Sequence, residues 1–398
     1  MIPRKLSQSL IENATQYPVI SLTGPRQSGK TTLVKALFKQ HEYISLEDPE
    51  YRDLAIEDPR GFLNQFDHGV ILDEVQRTPN LFSYIQTITD KKDQPGQFIL
   101  TGSQNFLLLK NIQQSLAGRC AIHHLLPFSM DELYNYTPLD FSEIGSTMPV
   151  REHKIEKNFT DVLFSGFYPR IHDKKIAPQN WLKNYYQSYL ERDIGDIVKI
   201  GDMNAYRRFV LLCAGRNGQL LNLSSIANDC GITHTTARRW ISVLEISFLV
   251  ILLQPHFQNF NKRMVKSPKL YFLDTGLLCY LLRIRSAKAL FMHSVRGAVF
   301  ESFVISELYK RYLHHGIEPD FYFWRNSAGH EIDVVIDLGN RQIPIEIKSG
   351  ATISKDYFKG INYWKKLTGN QNIQSAIVYA GDRNMDVKGV KIYNWYHF

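Results

Sequence analysis

The chain has 398 residues, of which 44% are hydrophobic, and it carries a net charge of +8. This composition supplies enough apolar side chains for packed cores, so it excludes intrinsic disorder or a fibrous repeat as the main description. The length predicts two or three domains. The basic excess permits an anionic partner such as nucleic acid, although many proteins without such a partner carry it too.

Cysteine usage and the lack of targeting segments predict a cytoplasmic protein. The four cysteines lie far apart, with neither a CxxC pair nor zinc-binding spacing, so a reducing compartment is expected. The N-terminal segment is charged and has no apolar stretch of the kind found in signal peptides. The longest apolar run, Ile246–Leu253, is too short to span a bilayer, so no membrane partner is expected.

Strand and helix patterns alternate in the first third of the chain. A helical segment at 31–40 follows the first apolar segment. Strands are predicted at 18–23, 42–46, 69–73, 96–101 and 121–126. Apolar strands that alternate with helices favour a parallel α/β sheet.

A complete phosphate-binding motif joins the first strand to the helix that follows it. Gly24–Thr31 reads GPRQSGKT and matches GxxxxGK[ST]. The glycines let backbone N–H groups close around phosphate oxygens beside the positive end of the helix dipole. Lys30 would reach the β- and γ-phosphates, and the Thr31 hydroxyl would ligate Mg²⁺. The residues predicted to bind ATP with Mg²⁺ in this loop are Gly24, Gln27, Ser28, Gly29, Lys30, Thr31 and Thr32.

Two further strand ends would complete a hydrolytic site. Asp73 ends the apolar strand GVILD and would join the Mg²⁺ shell, and Glu74 beside it would polarise the attacking water as a catalytic residue. Adjacent acids favour hydrolysis over nucleotide binding alone. Polar residues after the strand at 96–101 would orient this water, and the candidates are Ser103, Gln104 and Asn105, with Ser103 included among the nucleotide-binding residues.

Arg119 ends the segment SLAGR and is also assigned to the nucleotide site. An arginine here could stabilise transition-state charge in its own subunit or in a neighbouring one. A surface ion pair explains it equally well. Farther along, Asn180–Ile200 is predicted as one long amphipathic helix.

Residues 223–244 have the rhythm of a helix-turn-helix. Ser224 and Ser225 suit a helix N-cap, and Gly231 suits the tight turn between two helices. The second helix would bury Ile232, Ala237, Ile241 and Leu244 and expose Thr235, Thr236, Arg238 and Arg239, where DNA could lie. Wing strands could follow, although such domains also serve as protein contacts or lids. Nearby basic residues suit either phosphate contacts or a solvated loop, namely Lys262, Arg263, Lys266 and Lys269.

Carboxylates and a lysine recur on two predicted strands near the C-terminus, at 331–337 and 343–348, which follow a helix at 299–312 and a strand at 321–324. Period-2 alternation places Glu346 and Lys348 on one face, where Asp333 of the neighbouring strand can meet Glu346. Such oxygens suit Mg²⁺, and the lysine could position or deprotonate a water for phosphodiester attack. The predicted catalytic residues are Asp333, Glu346 and Lys348, the predicted metal ligands are Glu301, Asp333 and Glu346, and Glu331 is a reserve ligand.

This spacing, Asp-x(12)-Glu-x-Lys, resembles the active-site pattern of the PD-(D/E)xK nuclease superfamily. The helix bearing Glu301 and the strands after it follow the superfamily's order, with Ile332 in place of the proline. An ion pair of Glu346 with Lys348 or Arg341 on an edge strand is the alternative. The resemblance implies the fold more firmly than the activity, because such folds also host inactive binding modules.

Taken together, the motifs resemble the large bacterial and archaeal family of AAA-type ATPases with a C-terminal domain of unknown function. The match runs in order through nearly the whole chain and is carried by GPRQSGKTT, VILDEVQ, ILTGSQ, SLAGR, YLERDI, KLYFLDTGLLCYL, GAVFESFVISEL and WRNSAGHEIDVVIDLGNRQIPIEIKSG. The resemblance implies an α/β architecture. Its parts are a P-loop AAA+ parallel-sheet core at 1–145, a helical lid or linker at 146–200, a winged helix-turn-helix domain at 201–285 and a restriction-endonuclease-like domain at 286–398.

Three functions are compatible with this reading. The first is an AAA+ ATPase that acts on DNA and is coupled to a Mg²⁺-dependent nuclease. The second is a DNA-remodelling or branch-migration ATPase whose nuclease-like fold is inactive and only grips DNA. The third is a signalling ATPase that binds protein. The resemblance also implies assembly into a homo-oligomeric ring, in which Arg119 would act on the neighbouring subunit.

Overall fold

The computed structural model describes residues 2–92, 94–103, 112, 114–149, 155–188, 202–256 and 266–398.

The first sheet is wholly parallel and carries the phosphate loop. Five strands lie side by side in the order β2-β3-β4-β1-β5. Their bounds are β1 Val19–Thr23, β2 Glu42–Ser45, β3 Val70–Asp73, β4 Phe98–Thr101 and β5 Cys120–His124. The prediction of a parallel α/β sheet is confirmed, with β1, β3 and β4 buried at every residue.

Helices cover both faces of this sheet. One apolar cluster packs α1 and α2 on one face, and a second packs α4 and α5 on the other. The helices of this region are α1 Leu6–Ala14, α2 Lys30–Leu37, α3 Pro49–Glu57, α4 Pro59–Leu63, α5 Leu81–Lys92 and α6 Met130–Tyr134. The phosphate loop is thereby fixed between a buried strand and a packed helix.

The middle of the chain is helical and ends in an antiparallel strand pair. Its helices are α7 Phe159–Ser165, α8 Pro169–Asp173, α9 Pro178–Ser188, α10 Met203–Gly215, α11 Leu223–Cys230 and α12 His234–Ile246. The strand pair is β6 Val250–Leu253 with β7 Lys269–Phe272, followed by α13 Thr275–Leu281 and α14 Ala287–Met292. Gly231 caps α11 with a left-handed backbone (φ 69°) and turns the chain into α12, as predicted.

The C-terminal region is a six-stranded mixed sheet behind one long helix. Strand order is β12-β13-β11-β10-β9-β8, with β10, β11 and β13 parallel to one another. The elements are α15 Arg296–His314, β8 Phe321–Arg325, β9 Glu331–Asp337, β10 Gln342–Lys348, α16 Lys359–Thr368, β11 Ala376–Tyr379, β12 Met385–Val387 and β13 Val390–Asn394. The predicted order of one helix followed by three strands is confirmed.

Helix α15 joins the regions of the molecule. It is buried along most of its length, and one continuous apolar cluster runs from Leu126 through the middle helices and α15 into the C-terminal sheet. The regions at 146–200, 201–285 and 286–398 therefore share a core, which sequence patterns did not indicate.

Several element bounds differ from those predicted. The helix predicted over Asn180–Ile200 is described as α9, which runs to Ser188, and residues 189–201 lie outside the described part of the chain. Strand β5 ends at His124, not at 126, and α2 ends at Leu37, not at 40. No helix among the described residues is long and apolar enough to cross a membrane.

Candidate functional site

The phosphate loop has a backbone built for close approach to an anion. Gly24 has φ 143°, and a Cβ at this position would lie 2.1 Å from the Leu125 carbonyl oxygen, so only glycine fits. Gly29 caps α2 with φ 94°, a left-handed conformation. Lys30 is 7% exposed, and its Nζ donates to the carbonyl oxygens of Gly24 and Pro25, each at 3.0 Å. The lysine is thus placed inside the loop at the amino end of α2.

The residues predicted for Mg²⁺ are brought together beside this loop. The Thr31 hydroxyl donates to Asp73 Oδ2 at 2.9 Å, and Asp73 is 8% exposed at the end of β3. The Ser28 hydroxyl is buried and has no hydrogen-bond partner within the described chain. A buried hydroxyl without a partner, loop N–H groups and a hydroxyl-carboxylate pair fit a nucleotide with Mg²⁺. Bound Mg²⁺ would neutralise phosphate charge, and Thr31 and Asp73 would hold it.

Asp73 is fixed by two residues that sequence reasoning missed. The Tyr43 hydroxyl donates to Asp73 Oδ2 at 2.8 Å, and the Thr101 hydroxyl donates to Asp73 Oδ1. Burial, together with the Asp73 charge, raises the pKa of Tyr43, so the phenol stays a donor. Both residues lie on strands that neighbour β3 in space, β2 and β4. Both contacts could be predicted only by knowing that β2 and β4 are the neighbours of β3 in the sheet. The sequence alone does not show this strand order.

Glu74 is held at the edge of the nucleotide cavity. Its backbone is left-handed (φ 57°), and its carboxylate accepts from the Ser103 hydroxyl at 3.1 Å and from the Gln76 amide. Ser103 is therefore the described candidate that contacts this acid, whereas Gln104 and Asn105 lie outside the described residues. The contact suits a side chain that orients a carboxylate and its water.

A cavity of about 710 Å³ opens over the loop, a size that suits a nucleotide. Among its lining residues are the predicted Gln27, Ser28, Gly29, Lys30, Thr31, Thr32, Asp73, Glu74 and Ser103. The lining also includes cationic residues that sequence reasoning did not single out, namely Arg4 before α1, Arg26 within the loop, and Arg170 and Lys174 in and after α8. Helix α8 and Lys174 after it therefore form one wall of this cavity.

Arg119 lies at the other end of the sheet from the loop. It precedes β5, whose Cys120 pairs with Val19 at the amino end of β1, whereas the loop follows the carboxyl end of β1, roughly 15 Å away. Arg119 Nε donates to Asp90 instead. The prediction that Arg119 contacts the phosphates of its own subunit is therefore wrong. The alternative prediction, a surface ion pair, agrees with its contact to Asp90. A role in a neighbouring subunit stays a prediction.

In the C-terminal sheet, Asp333, Glu346 and Lys348 meet as the alternation predicted. Lys348 Nζ lies 3.1 Å from Asp333 Oδ2 and also contacts Glu346 Oε2. Asp333 further accepts the backbone N–H of Ile347 at 2.8 Å. Burial would raise the pKa of Asp333, but Lys348, Lys269 and this N–H outweigh it and lower the pKa. Burial and the Asp333 charge raise the pKa of Glu346 to about 8.

A second lysine pairs with the remaining carboxylates. Lys269 of β7 is buried, and its Nζ lies 3.2 Å from Glu301 Oε1 and also contacts Glu331. The Tyr271 hydroxyl donates to the same Glu301 oxygen. Burial alone would lower the pKa of Lys269, but the three carboxylates around it raise it instead. The buried ammonium group of Lys269 thus connects the strand pair β6–β7 to α15, through Glu301, and to β9, through Glu331.

These pairs correct two predictions. Within the described ranges, no three acidic, His or Cys side chains are arranged to hold a metal ion, so Glu301, Asp333 and Glu346 do not form the predicted three-ligand group. Lysine ammonium groups lie between the carboxylates, with Lys348 on Asp333 and Glu346 and Lys269 on Glu301 and Glu331. Lys269 is also not a phosphate-contacting surface residue, because it lies in the core. A metal held by Asp333 and Glu346 alone stays a prediction.

The raised pKa of Glu346 predicts a pH dependence of stability. The unfolded-state pKa is near 4.5 and the folded-state pKa about 8, so between these values the folded state binds more protons and loses stability as pH rises. The glutamine of Glu346→Gln cannot ionise. Between pH 5 and 8 we therefore expect the free energy of unfolding of this variant to decrease less than that of the unmodified protein, with a difference on the order of 1–2 kcal/mol. Urea unfolding at the two pH values measures this, and parallel slopes for both proteins would contradict it.

The helix pair α11–α12 exposes the residues that were predicted to face a partner. Ala237, Ile241 and Leu244 are buried as predicted, together with Trp240, while Ile232 is partly buried. Arg238, Arg239 and Thr235 are exposed, and Thr236 is half-buried. The predicted cap residues are replaced by Asn222, which accepts from the Ser225 N–H at 3.0 Å. Of the basic stretch, Lys266 is exposed, and Lys262 and Arg263 lie outside the described residues.

Family profiles match three consecutive parts of the chain. Residues 16–134 match an AAA domain, residues 156–288 match Domain of unknown function (DUF8612), and residues 296–398 match Domain of unknown function (DUF4143). The AAA match covers the parallel sheet and the phosphate loop. One profile spans both the predicted lid and the predicted helix-turn-helix region.

Two solved structures resemble the chain in part. The Walker-type ATPase paby2304 of Pyrococcus abyssi aligns with TM-score 0.44 and 16% identity over 71% of this chain and 96% of that one. RuvB of Thermotoga maritima aligns with TM-score 0.30 and 15% identity over 62% of this chain and 87% of that one. These TM-scores are too low to support an argument. The assignment of a nucleotide-binding fold therefore rests on the sheet topology and on the match to the AAA domain.

Two relatives align over most of their length. The uncharacterized protein MJ1544 of Methanocaldococcus jannaschii is 21% identical over 86% of this chain and 76% of that protein. The uncharacterized protein Rv2008c of Mycobacterium tuberculosis is 31% identical over 92% of this chain and 77% of that protein. With its loop, Thr31–Asp73 pair and AAA domain, the chain is an AAA-type P-loop ATPase that belongs to the family of this mycobacterial protein.

Proposed function

We propose that this ATPase acts on duplex DNA through the exposed face of α12. The observation that carries the proposal is the pair Arg238 and Arg239, exposed next to each other on a helix whose opposite face is buried. Guanidinium groups on an exposed helix suit phosphate contacts and base-edge contacts in the major groove. The strand pair β6–β7 after the helix is compatible with a winged helix-turn-helix.

A continuous set of contacts supports coupling between the nucleotide and this face. Helix α8, which lines the nucleotide cavity, follows Phe167, whose backbone N–H donates to Asp274 Oδ2 at 2.7 Å. Asp274 lies just after β7 and caps α13 through the Leu277 N–H at 2.8 Å. A change at the cavity that moved α8 would therefore be transmitted through Phe167 and Asp274 to the strand pair β6–β7, which follows α12. Two-state motion of packed elements is the ordinary route for such coupling.

The C-terminal region is proposed to be a support for this machinery without nuclease activity. Two of its carboxylates, Glu301 and Glu331, are paired with the buried Lys269, and this pairing supports the remodelling ATPase over the coupled nuclease. The fold would then serve to hold α15 and the strand pair, as inactive members of a nuclease-like fold can.

Removing both arginines of α12 is expected to weaken DNA binding. Arg238→Ala/Arg239→Ala should lower duplex affinity by about tenfold at roughly 100 mM salt and reduce the salt slope by about 2, because two phosphate contacts are lost. Fluorescence anisotropy with a labelled duplex measures both quantities. The matched control is Lys91→Ala/Lys92→Ala, an exposed basic pair at the end of α5, which removes the same charge.

Equal loss in the two double variants would mean that only net charge attracts DNA. Absence of salt-dependent binding by the unmodified protein would favour a protein-binding signalling ATPase. Mg²⁺-dependent cutting of the duplex that Asp333→Ala abolishes would favour the nuclease.

A further inference from the structure

An arginine outside every recognised motif contacts the phosphate loop. Arg4 lies just before α1, is 7% exposed, and donates from Nη1 to the Ser28 carbonyl oxygen at 2.8 Å. Its Nη2 donates to the Leu126 carbonyl at 2.6 Å, and its guanidinium lies 4.8 Å from the centre of the Phe128 ring. Arg4 thus joins the loop to the segment that leaves β5.

The contact with Ser28 fixes the direction of a phosphate-binding N–H group. The Ser28 carbonyl and the Gly29 N–H belong to one planar trans peptide and point in opposite directions. Because Arg4 holds the carbonyl, the direction of the Gly29 N–H is fixed as well, at the cavity that Gly29 lines. Gly29 is left-handed and precedes α2, so the helix itself does not set this peptide.

Arg4 is held in turn by two buried residues. Its Nε lies 3.1 Å from Glu132 Oε1, and its Nη2 lies 3.5 Å from His314 Nε2. His314 Nε2 accepts the Leu126 N–H at 3.2 Å, while Nδ1 lies 3.4 Å from Glu132 Oε2. Burial lowers the pKa of His314 to about 3, so it is a neutral ring whose Nε2 accepts a hydrogen bond and whose Nδ1 carries the proton.

His314 is the last residue of α15, which is firmly docked on the ATPase core. Glu307 accepts the Met130 N–H at 2.6 Å, Lys310 donates to the Phe128 carbonyl at 3.0 Å, and Arg311 donates to the Leu139 carbonyl. Near its other end, the same helix carries Glu301, which pairs with Lys269. Thirteen residues of helix, roughly 20 Å, therefore separate the C-terminal carboxylates from the partner of Arg4.

We propose that Arg4 is a positioning residue for ATP binding, and that α15 holds it in place through Glu132 and His314. The C-terminal region thereby sets nucleotide affinity from a distance. Arg4 orients a loop peptide and does not itself enter the chemistry. Nucleotide affinity should therefore depend on Arg4 more than the turnover number does.

The test separates loop positioning from general stability. Arg4→Met should raise the Kd for a fluorescent ATP analogue by about tenfold and lower the turnover number at saturating ATP by less than about threefold, since one charged hydrogen bond to the loop is lost. Arg4→Lys keeps the charge beside Glu132 but cannot serve both carbonyls, so an intermediate Kd is expected. The control Arg216→Met removes a partly buried arginine that bonds Ser225 and Asp229 of α11 and is not part of the contacts that hold Arg4, and it should leave the Kd unchanged.

A double-mutant cycle tests the link to α15. His314→Gln should raise the Kd in the unmodified protein but add nothing once Arg4 is methionine, because the effect passes through Arg4. If Arg4→Met does not fold, the same cycle with Arg4→Lys decides. A Kd within twofold of the unmodified protein in the folded Arg4 variant overturns the proposal. An equal rise in Arg216→Met, or additive effects in the cycle, overturns it as well.

Discussion

Replacing Lys30 by alanine is expected to reduce ATP turnover by two to three orders of magnitude, the usual range when one preorganised group that stabilises transition-state charge is lost. Lys30 is buried inside the loop, with its ammonium group on the Gly24 and Pro25 carbonyls. From there it can shift onto the β- and γ-phosphates without leaving the loop. Steady-state phosphate release at saturating ATP measures the loss.

The control for this experiment is Lys39→Ala, an exposed lysine just beyond the end of α2. It removes the same charge from the same region and should leave turnover unchanged. Near-normal turnover in Lys30→Ala, in protein that melts like the unmodified chain, would contradict the assignment of the nucleotide site.

Lys269→Met is expected to destabilise the fold by about 3–5 kcal/mol, because it leaves buried carboxylates without their counter-charge. Lys269 contacts Glu301 and Glu331, and its charge also lowers the pKa of Asp333. Methionine has nearly the same length, so the loss is electrostatic rather than a matter of volume. Protonation of the stranded acids should recover part of the stability as the pH is lowered. Urea unfolding at neutral and mildly acidic pH measures both effects.

Lys266→Met is the matched control, since Lys266 is exposed only three residues earlier. Its effect should lie within about 0.5 kcal/mol. Equal and small effects of the two substitutions would show that Lys269 is solvated, and its pairing with Glu301 and Glu331 would then not argue against a nuclease.

Sequence reasoning reached the nucleotide site because its parts are local. The loop, its glycines and Lys30 follow one another in eight residues, and the strand–loop–helix context fixes their geometry. Asp73 could be added because the carboxyl ends of parallel strands meet at one edge. Tyr43 and Thr101 could not, since their contact with Asp73 depends on strand order.

The C-terminal cluster was predicted in part for a similar reason. Period-2 alternation and antiparallel pairing of β9 with β10 place Asp333 near Glu346 and Lys348. Lys269 comes from a strand pair more than sixty residues earlier, and in the sequence it reads as one more member of a basic stretch. Its burial follows from packing between β7, α15 and β9, which no local pattern records.

Arg4 and Arg119 both show that contacts between distant residues cannot be predicted from local motifs. Arg119 follows a motif-like segment, yet the register of β5 against β1 puts it at the wrong end of the sheet. Arg4 belongs to no motif, yet it contacts Ser28 of the loop and, through His314, the end of α15. Contacts across 24 and 310 residues of sequence appear only when the chain is folded.

The most direct test of an ATPase that acts on DNA is ATP turnover by the full chain with and without a short duplex, with the same reactions sampled for DNA cleavage. We expect turnover that DNA raises several-fold in the unmodified protein, no stimulation in Arg238→Ala/Arg239→Ala, and an intact duplex throughout. Turnover that is indifferent to DNA at every concentration, with the ATPase itself active, would contradict it.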